Sequence, residues 1–309
     1  ADHWEIPAYA HQPNTESGFS STLFRNTDPD DAGFVLAIRG TRGIWDDLLL
    51  TDIADIVTDG IAIKQTVDLY NEWRRLTETG AYNAAYLDVL VAETAGYQLA
   101  RTGQFVPAFG LGSGAFLELL RSRNDIIIDE PGGRVLTIKF ASSSNLFDDE
   151  RATGLGLGAE IVEHGLTVTG HSLGGHLATA FTRLFPLVGV DAVTINGAGF
   201  ATGAIAGLAG NSSLNIRNLF SLLNGAGEFV GEAILNLYGD KNPEFVTMNG
   251  PGLFQQGGHK AIFFEQDAAF QDTLGHGAAQ MTDSLAVYDL FLALQSEITH
   301  DAQIDALDE

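Results

Sequence analysis

Ser172 sits between two glycines in Gly170-His171-Ser172-Leu173-Gly174, a spacing that suits a nucleophilic serine. A serine hydroxyl is a weak nucleophile. It acts only where a base takes its proton and the backbone holds the oxygen toward substrate. The glycines allow that, because a strand can turn sharply into a helix through them without a Cβ clash. With 36 Gly in 309 residues, about 0.2 such matches arise by chance, so the flanks must decide. Leu166-Thr-Val-Thr169 is β-branched and apolar, as a strand requires, and Leu177, Ala178, Ala180, Phe181 and Leu184 follow at helical spacing. A helix starting behind Ser172 also turns unpaired N–H groups, that of Leu173 among them, toward a developing oxyanion. The alternative, an idle serine in a Gly-rich turn, leaves this convergence unexplained.

Such a serine needs a base and an orienting acid, in the chain order Ser, Asp or Glu, His. Four His follow it. His176 is one helical turn on and cannot fold back onto the hydroxyl, and His300 lies in a polar tail. His259 precedes the expected strand Ala261 to Phe264, at its wrong end, and remains the runner-up. His276, in Thr273-Leu-Gly-His-Gly-Ala278, follows that strand and fits best. For the acid, Asp240 closes the strand-like run Ala233-Ile-Leu-Asn-Leu-Tyr-Gly-Asp240. Asp191 precedes its strand and points to the far side; Glu228 and Asp267 have no comparable placement. The second oxyanion donor is expected after an earlier strand, Gly33 to Arg39, where Thr41 can offer both N–H and hydroxyl.

These groups must be positioned by a scaffold. Short apolar runs at Gly33 to Arg39, Arg134 to Phe140, Leu166 to Gly170, Ala192 to Asn196, Ala233 to Tyr238 and Ala261 to Phe264 alternate with helical stretches. That alternation predicts an α/β fold, a mostly parallel sheet with helices on both faces, and chemistry at the carboxyl ends of the strands. Leu49, Ile53, Ile56 and Val57 form one expected helical stripe, and Leu285, Tyr288 and Leu292 another. No linker divides the chain, so residues 1–309 read as a single catalytic domain. Its 45% hydrophobic content and 29 aromatics (19 Phe, 7 Tyr, 3 Trp) can sustain a large core.

Composition excludes several functions. With 16 Lys and Arg against 40 Asp and Glu, the net charge of −24 repels phosphate backbones, so nucleic acid is no partner. The absence of Cys removes disulfides, thiol nucleophiles and thiolate zinc sites. The most apolar stretches break well short of ~20 clean residues, so no transmembrane segment is expected. The chain starts at Ala1 rather than Met, as expected if a leader has been removed or if the amino terminus has been trimmed.

Ile38-Arg-Gly-Thr41, Trp45-Asp46, Val168-Thr-Gly-His-Ser-Leu-Gly-Gly175, Thr194-Ile-Asn-Gly and Gly239-Asp-Lys-Asn-Pro-Glu-Phe245 follow one another as in class 3 lipases. The Asp-rich Thr51-Asp-Ile-Ala-Asp-Ile-Val-Thr-Asp59, and the late segments around Phe263 to Asp267 and Thr282 to Tyr288, resemble most closely the catalytic domain of secreted Gram-negative lipases and phospholipases A1. In place of that family's Asp-Pro turn stands Asp240-Lys-Asn-Pro243, and the repeat-bearing carboxyl-terminal domain of many relatives is not among these 309 residues, as expected of a shorter relative or a catalytic fragment.

The resemblance implies an α/β-hydrolase fold and a secreted, monomeric enzyme that cleaves lipid esters at a lipid–water interface through an acyl-enzyme. Ser172, Asp240 and His276 would be its triad, and Thr41 and Leu173 its oxyanion donors. Triacylglycerol and phospholipid substrates both remain open. So do a serine peptidase of the same fold and, from another class, a catalytically inactive hydrolase fold that binds lipid or a partner. Amphipathic lids are expected at Asp47 to Gly60, Phe105 to Leu120 or Ala204 to Val230. No cofactor is required for the chemistry; calcium, held by Asp52 and Asp55, would anchor a lid or serve a structural role.

Overall fold

The computed structural model describes residues 3–13, 15, 17–40, 56, 60–81, 87–92, 126–129, 135–140, 153–186, 190–201, 216–217, 219–221, 223–239, 253–262 and 278–294. Its strands are β1 (Trp4–Glu5), β2 (His11–Gln12), β3 (Ser21–Asn26), β4 (Gly33–Ile38), β5 (Thr79–Ala81), β6 (Leu87–Ala92), β7 (Ile126–Asp129), β8 (Val135–Phe140), β9 (Thr153–Leu155), β10 (Leu166–His171), β11 (Val190–Ile195), β12 (Ile234–Gly239) and β13 (Gly258–Ile262). The helices are α1 (Ile63–Thr77), α2 (Gly158–His164), α3 (Leu173–Leu184) and α4 (Ala278–Leu294).

The main sheet runs β1-β3-β4-β10-β11-β12-β13, with β2 also on the outer side of β3. From β4 to β13 every pairing is parallel, and the pairings of β3 with β1, β2 and β4 are antiparallel. Parallel pairing brings the carboxyl ends of five strands to one edge, and α3 leaves β10 at that edge. The chain has the α/β-hydrolase fold.

Register explains which face is buried. Phe34, Leu166 and Val190 form one cross-strand row, and Leu36, Val168, Ala192 and Ile234 the next. All seven are buried, and α3 packs on β4, β10 and β11. Trp73 of α1 meets Phe181 of α3 edge-on at 4.8 Å between centroids, which locks the two helices together. On the opposite face, Met281 and Leu285 of α4 pack with Ile262, Ile195 and Leu237. Leu285 thus faces the sheet as its helical spacing implies, the side chains of Tyr288 and Leu292 lie outside the described residues, and the sheet carries helices on both faces.

The strand readings need adjustment in two places. Val135–Phe140 does not join the parallel sheet; it lies between β6 and β7 in a separate antiparallel sheet. Its sequence alternates Leu136, Ile138 and Phe140 with Thr137 and Lys139, the period of a one-sided antiparallel strand rather than a doubly covered parallel one. The last strand occupies Gly258–Ile262, three residues earlier than its apolar run suggests, because its amino half is polar.

The lid readings fall mostly outside the described residues. Of the stretch from Asp47 to Gly60, Ile56 is described and is buried in the main core. Of the stretch from Ala204 to Val230, Ile216, Leu219, Phe220 and Leu223 are core as well. All of Phe105 to Leu120 lies outside.

A polar stripe along α1 fastens the amino-terminal segment. Gln65 donates to the Ser17 carbonyl, Thr15 and Ser17 donate to Asp68, and Arg75 donates to the Tyr9 carbonyl. Arg75 is fully buried and forks onto both oxygens of Glu72 at 2.8 Å. Removing one member of such a pair strands the other charge. Glu72→Ala should therefore cost about 3–5 kcal/mol in urea unfolding, whereas a Glu72→Leu/Arg75→Met double variant should lie close to wild type. A Glu72→Ala loss below about 1 kcal/mol would show that the pair stabilises by geometry alone.

Candidate active site

Ser172 joins β10 to α3 with φ 56 and ψ −120. A non-glycine residue there is strained by ~1–3 kcal/mol, and such strain persists where the surroundings over-determine it. They do so here through the backbone. The Ser172 N–H donates to the Ile195 carbonyl at 3.1 Å, and the Ser172 carbonyl accepts from the N–H groups of His176 at 3.1 Å and Ala198 at 3.0 Å. The serine side chain makes no capping bond to its own helix. The residue is buried, at the carboxyl end of a central strand and at the start of a helix whose first N–H groups, including that of Leu173, face the same region. This is a nucleophile elbow in backbone geometry.

Glycines make the elbow possible by close approach. A Cβ on Gly170 would stand 2.3 Å from the Gly174 carbonyl carbon, and one on Gly174 would stand 2.2 Å from the Ile38 oxygen. One on Gly175 would meet the Gly197 Cα at 2.6 Å. The first turn of α3 thus lies directly on the ends of β4, β10 and the turn after β11. No other residue type fits at these positions.

Around Ser172 the sequence-derived candidates are arranged as follows. Leu173 opens α3 and is buried. Gly40 follows β4, and a Cβ placed on it would be 3.6 Å from the Ser172 Cβ, so the chain that continues into Thr41 passes beside the serine. Thr41 itself lies outside the described residues, as do Asp240, His276, Asp52 and Asp55. Two of these lie next to described elements on one side. Gly239, immediately before Asp240, ends β12 at the same edge, and α4 begins two residues after His276. Among the described residues no cluster of His, Asp or Glu could hold a metal ion, and no helix is long and apolar enough to cross a membrane.

The rejected histidines are now placed. His259 is the second residue of β13, exposed and paired with Asn236, roughly 10 Å back from the carboxyl edge at ~3.3 Å per residue. His176 is fully buried, stacked on Phe200 with centroids 4.1 Å apart. Its Nδ1 contacts the Gly199 carbonyl at 3.2 Å and its Nε2 accepts the Ala62 N–H, also at 3.2 Å, which fixes a neutral ring with the proton on Nδ1. Burial holds its pKa down at about 4, the carbonyls of Gly199 and Ala198 countering only in part. Asp191, in β11, sits at the amino end of its strand, and Glu228 lies in an exposed turn near Arg183.

Two polar positions escaped the reading of the sequence. Asn196 adopts φ 44 just past β11, and its Oδ1 accepts the Gly239 N–H at 3.2 Å. Thr194 and Asn236 form a buried side-chain bond, with Asn236 also donating to the carbonyls of Gln256 and Gly258. The signal for the first was present, since Asn-Gly directly after an apolar strand marks a turn with positive φ.

No protein-family model matches the sequence, and no curated protein matches it either. Among solved structures it is similar to the Lip2 lipase of Yarrowia lipolytica, at 14% identity and TM-score 0.32, over 85% of this chain and 66% of that one. The nonglycosylated form of that lipase gives 13% identity, TM-score 0.31, and 86% and 68% coverage. A triacylglycerol lipase from Penicillium expansum gives 12%, 0.32, and 85% and 69%. This chain thus spans about two thirds of their length.

The elbow geometry makes Gly174→Ala destabilising by at least about 2 kcal/mol in urea unfolding, since its neighbours are backbone and cannot yield. Gly227→Ala, where nothing lies within 4 Å, should stay within about 0.5 kcal/mol. Equal effects at the two sites would refute the close-approach argument. His176 gives a pH expectation. Between its ordinary pKa of 6.5 and its folded value of about 4, the unfolded chain binds a proton that the folded chain refuses. The neutral ring's full contribution, on the order of 3 kcal/mol, is present above about pH 6.5 and is lost progressively down to about pH 4. The urea midpoint of the wild type should fall more steeply across that window than that of His176→Gln. Parallel curves would show that His176 is not the group responsible.

Proposed function

We propose that the chain is a serine hydrolase that cleaves carboxylic esters of lipids through an acyl-enzyme. The observation that carries this is Ser172 itself, held at φ 56 between a central parallel strand and a buried helix. A binding module gains nothing from keeping a serine in that conformation, which weighs against an inactive hydrolase fold. In the mechanism, Ser172 Oγ attacks the acyl carbon while His276 takes its proton. Asp240 fixes the His tautomer and stabilises the imidazolium. The N–H groups of Leu173 and Thr41 bind the oxyanion, each such donor being worth about 2.7–4 kcal/mol of barrier. His276 then returns the proton to the leaving alkoxide, and water, activated by the same base, releases the acid.

Lipid rather than peptide substrates are supported by the lipase-like motifs from Ile38 to Tyr288. The net charge of −24 opposes docking on anionic bilayers and favours neutral droplets or zwitterionic head groups, so triacylglycerols and phosphatidylcholine are the proposed esters. Serine, histidine, aspartate and two N–H donors account for the whole reaction. Calcium, if Asp52 and Asp55 bind it, is proposed only as a structural ion. The same resemblance supports secretion and action as a monomer.

Ser172→Ala should remain folded by circular dichroism, lose labelling by a fluorophosphonate probe, and lose about 10⁶-fold in turnover of p-nitrophenyl butyrate and tributyrin, because nucleophile and base act as a unit. A variant retaining a tenth of wild-type turnover would sink the assignment. Wild-type protein inert toward both esters and the probe would leave the binding module standing instead.

A further inference from the structure

We propose that Asn196 is a positioning residue that aims the strand end carrying the catalytic acid. This rests on the reading of Asp240 as that acid. In a parallel ladder, each residue on one strand gives its N–H and its C=O to residues flanking one position on the next. β11 and β12 follow that pattern through Ile195 opposite Leu237, and the Asn196 N–H still donates to the Leu237 carbonyl at 2.8 Å. The next rung would join the Asn196 carbonyl to the Gly239 N–H. It is replaced, because the side-chain Oδ1 of Asn196 accepts that N–H at 3.2 Å instead.

The reason lies on the other side of the turn. The elbow draws the backbone after Ile195 toward β10, where Ala198 donates to the Ser172 carbonyl at 3.0 Å and Gly197 packs on Gly175. A chain bent that way cannot also continue its ladder with β12. A residue at φ 44 is needed to make the bend, and an acceptor one bond beyond Cγ is needed to complete the rung. Asn meets both demands, being tolerant of the left-handed region and carrying a carbonyl. Its side chain is fully buried, so water does not compete for the Gly239 N–H. One residue thereby serves both ends of the catalytic machinery. Its backbone bends the chain between Ile195 and Ala198, which both bond Ser172, and its side chain holds the last described residue before Asp240.

The test separates the acceptor from the backbone conformation. Asn196→Gly keeps the positive φ and removes the acceptor, while Asn196→Asp keeps an acceptor oxygen at the same reach. With p-nitrophenyl butyrate, and rates normalised to folded protein, Asn196→Gly should lower kcat by up to about 100-fold with KM little changed, the cost of a misplaced catalytic group. A carboxylate moved away from the base supports its protonated form less, so the acid limb of kcat/KM should shift to lower pH. Asn196→Asp should recover at least half of the wild-type kcat and restore the limb. A purely structural role would lower the melting temperature and leave both the normalised kcat and the acid limb in place, which overturns the proposal. Asn196→Ser, one bond short of Gly239, carries the same expectations where Asn196→Gly is recovered unfolded. Asp240→Asn in the same assay identifies which statement fails. Severe loss there beside a normal Asn196→Gly refutes the positioning role alone, and a normal Asp240→Asn removes the acid assignment and the proposal with it.

Discussion

The site depends on one steric constraint, the near-contact of the first turn of α3 with the ends of β4 and β10. Gly174 brings its backbone against the Ile38 carbonyl at a separation that leaves no room for a Cβ. Gly170 yields the space from below. Because the helix lies so close, the chain at Ser172 has no distance in which to turn gradually, and it takes a conformation that non-glycine residues avoid. The serine is thereby held, buried, at the carboxyl edge of the sheet, and its conformation follows from the packing of the glycines around it.

The buried polar groups near that edge follow from the same packing. Thr194 and Asn236 continue the row of Ile38 and Gly170 across the sheet, directly beneath the start of α3. Apolar side chains would fill that row equally well. The polar pair, with Asn236 reaching the carbonyls of Gln256 and Gly258, ties β11, β12 and the entry to β13 into one unit. His176, a turn further along α3, does likewise for Gly199 and Ala62. Each of these groups is hydrogen-bonded, as burial demands, and each joins segments far apart in sequence.

What could be read from the sequence follows from which interactions are local. The strand, elbow and helix around Ser172 were legible because glycine spacing and hydrophobic period are properties of a short segment. The parallel pairing of β4, β10, β11 and β12 followed from their apolar runs, though their order did not, and α4 followed from its stripe at Leu285. β8 was misplaced, since a one-sided alternation shows that a strand is half-covered without showing which sheet it joins. His259 lies at the amino end of its strand, as its sequence position implies, although that strand begins earlier than its apolar run. The turn at Asn196 has a local signal, Asn-Gly after an apolar strand, but its side-chain bond has none, since that depends on Gly239, 43 positions away, and on a rung that exists only once two strands are paired. Thr41, Asp240, His276, Asp52 and Asp55 lie outside the described residues, so their assignments still rest on chain order and motif alone.

The strain at Ser172 can be weighed against what holds it. A residue in that region costs about 1–3 kcal/mol. Three backbone hydrogen bonds converge on Ser172, one from its own N–H and two at its carbonyl. At about 0.5–1.5 kcal/mol net each, they contribute roughly 1.5–4.5 kcal/mol, enough to offset the strain with little to spare. Two of the three, to Ile195 and from Ala198, come from β11 and its turn rather than from α3. Ser172 is therefore held as much by the neighbouring strand as by its own helix. A change in the turn after β11 that touches no substrate would weaken the nearly balanced term, and the serine would relax toward an ordinary helix N-cap. That is the conformation in which its hydroxyl would bond the helix backbone instead of substrate.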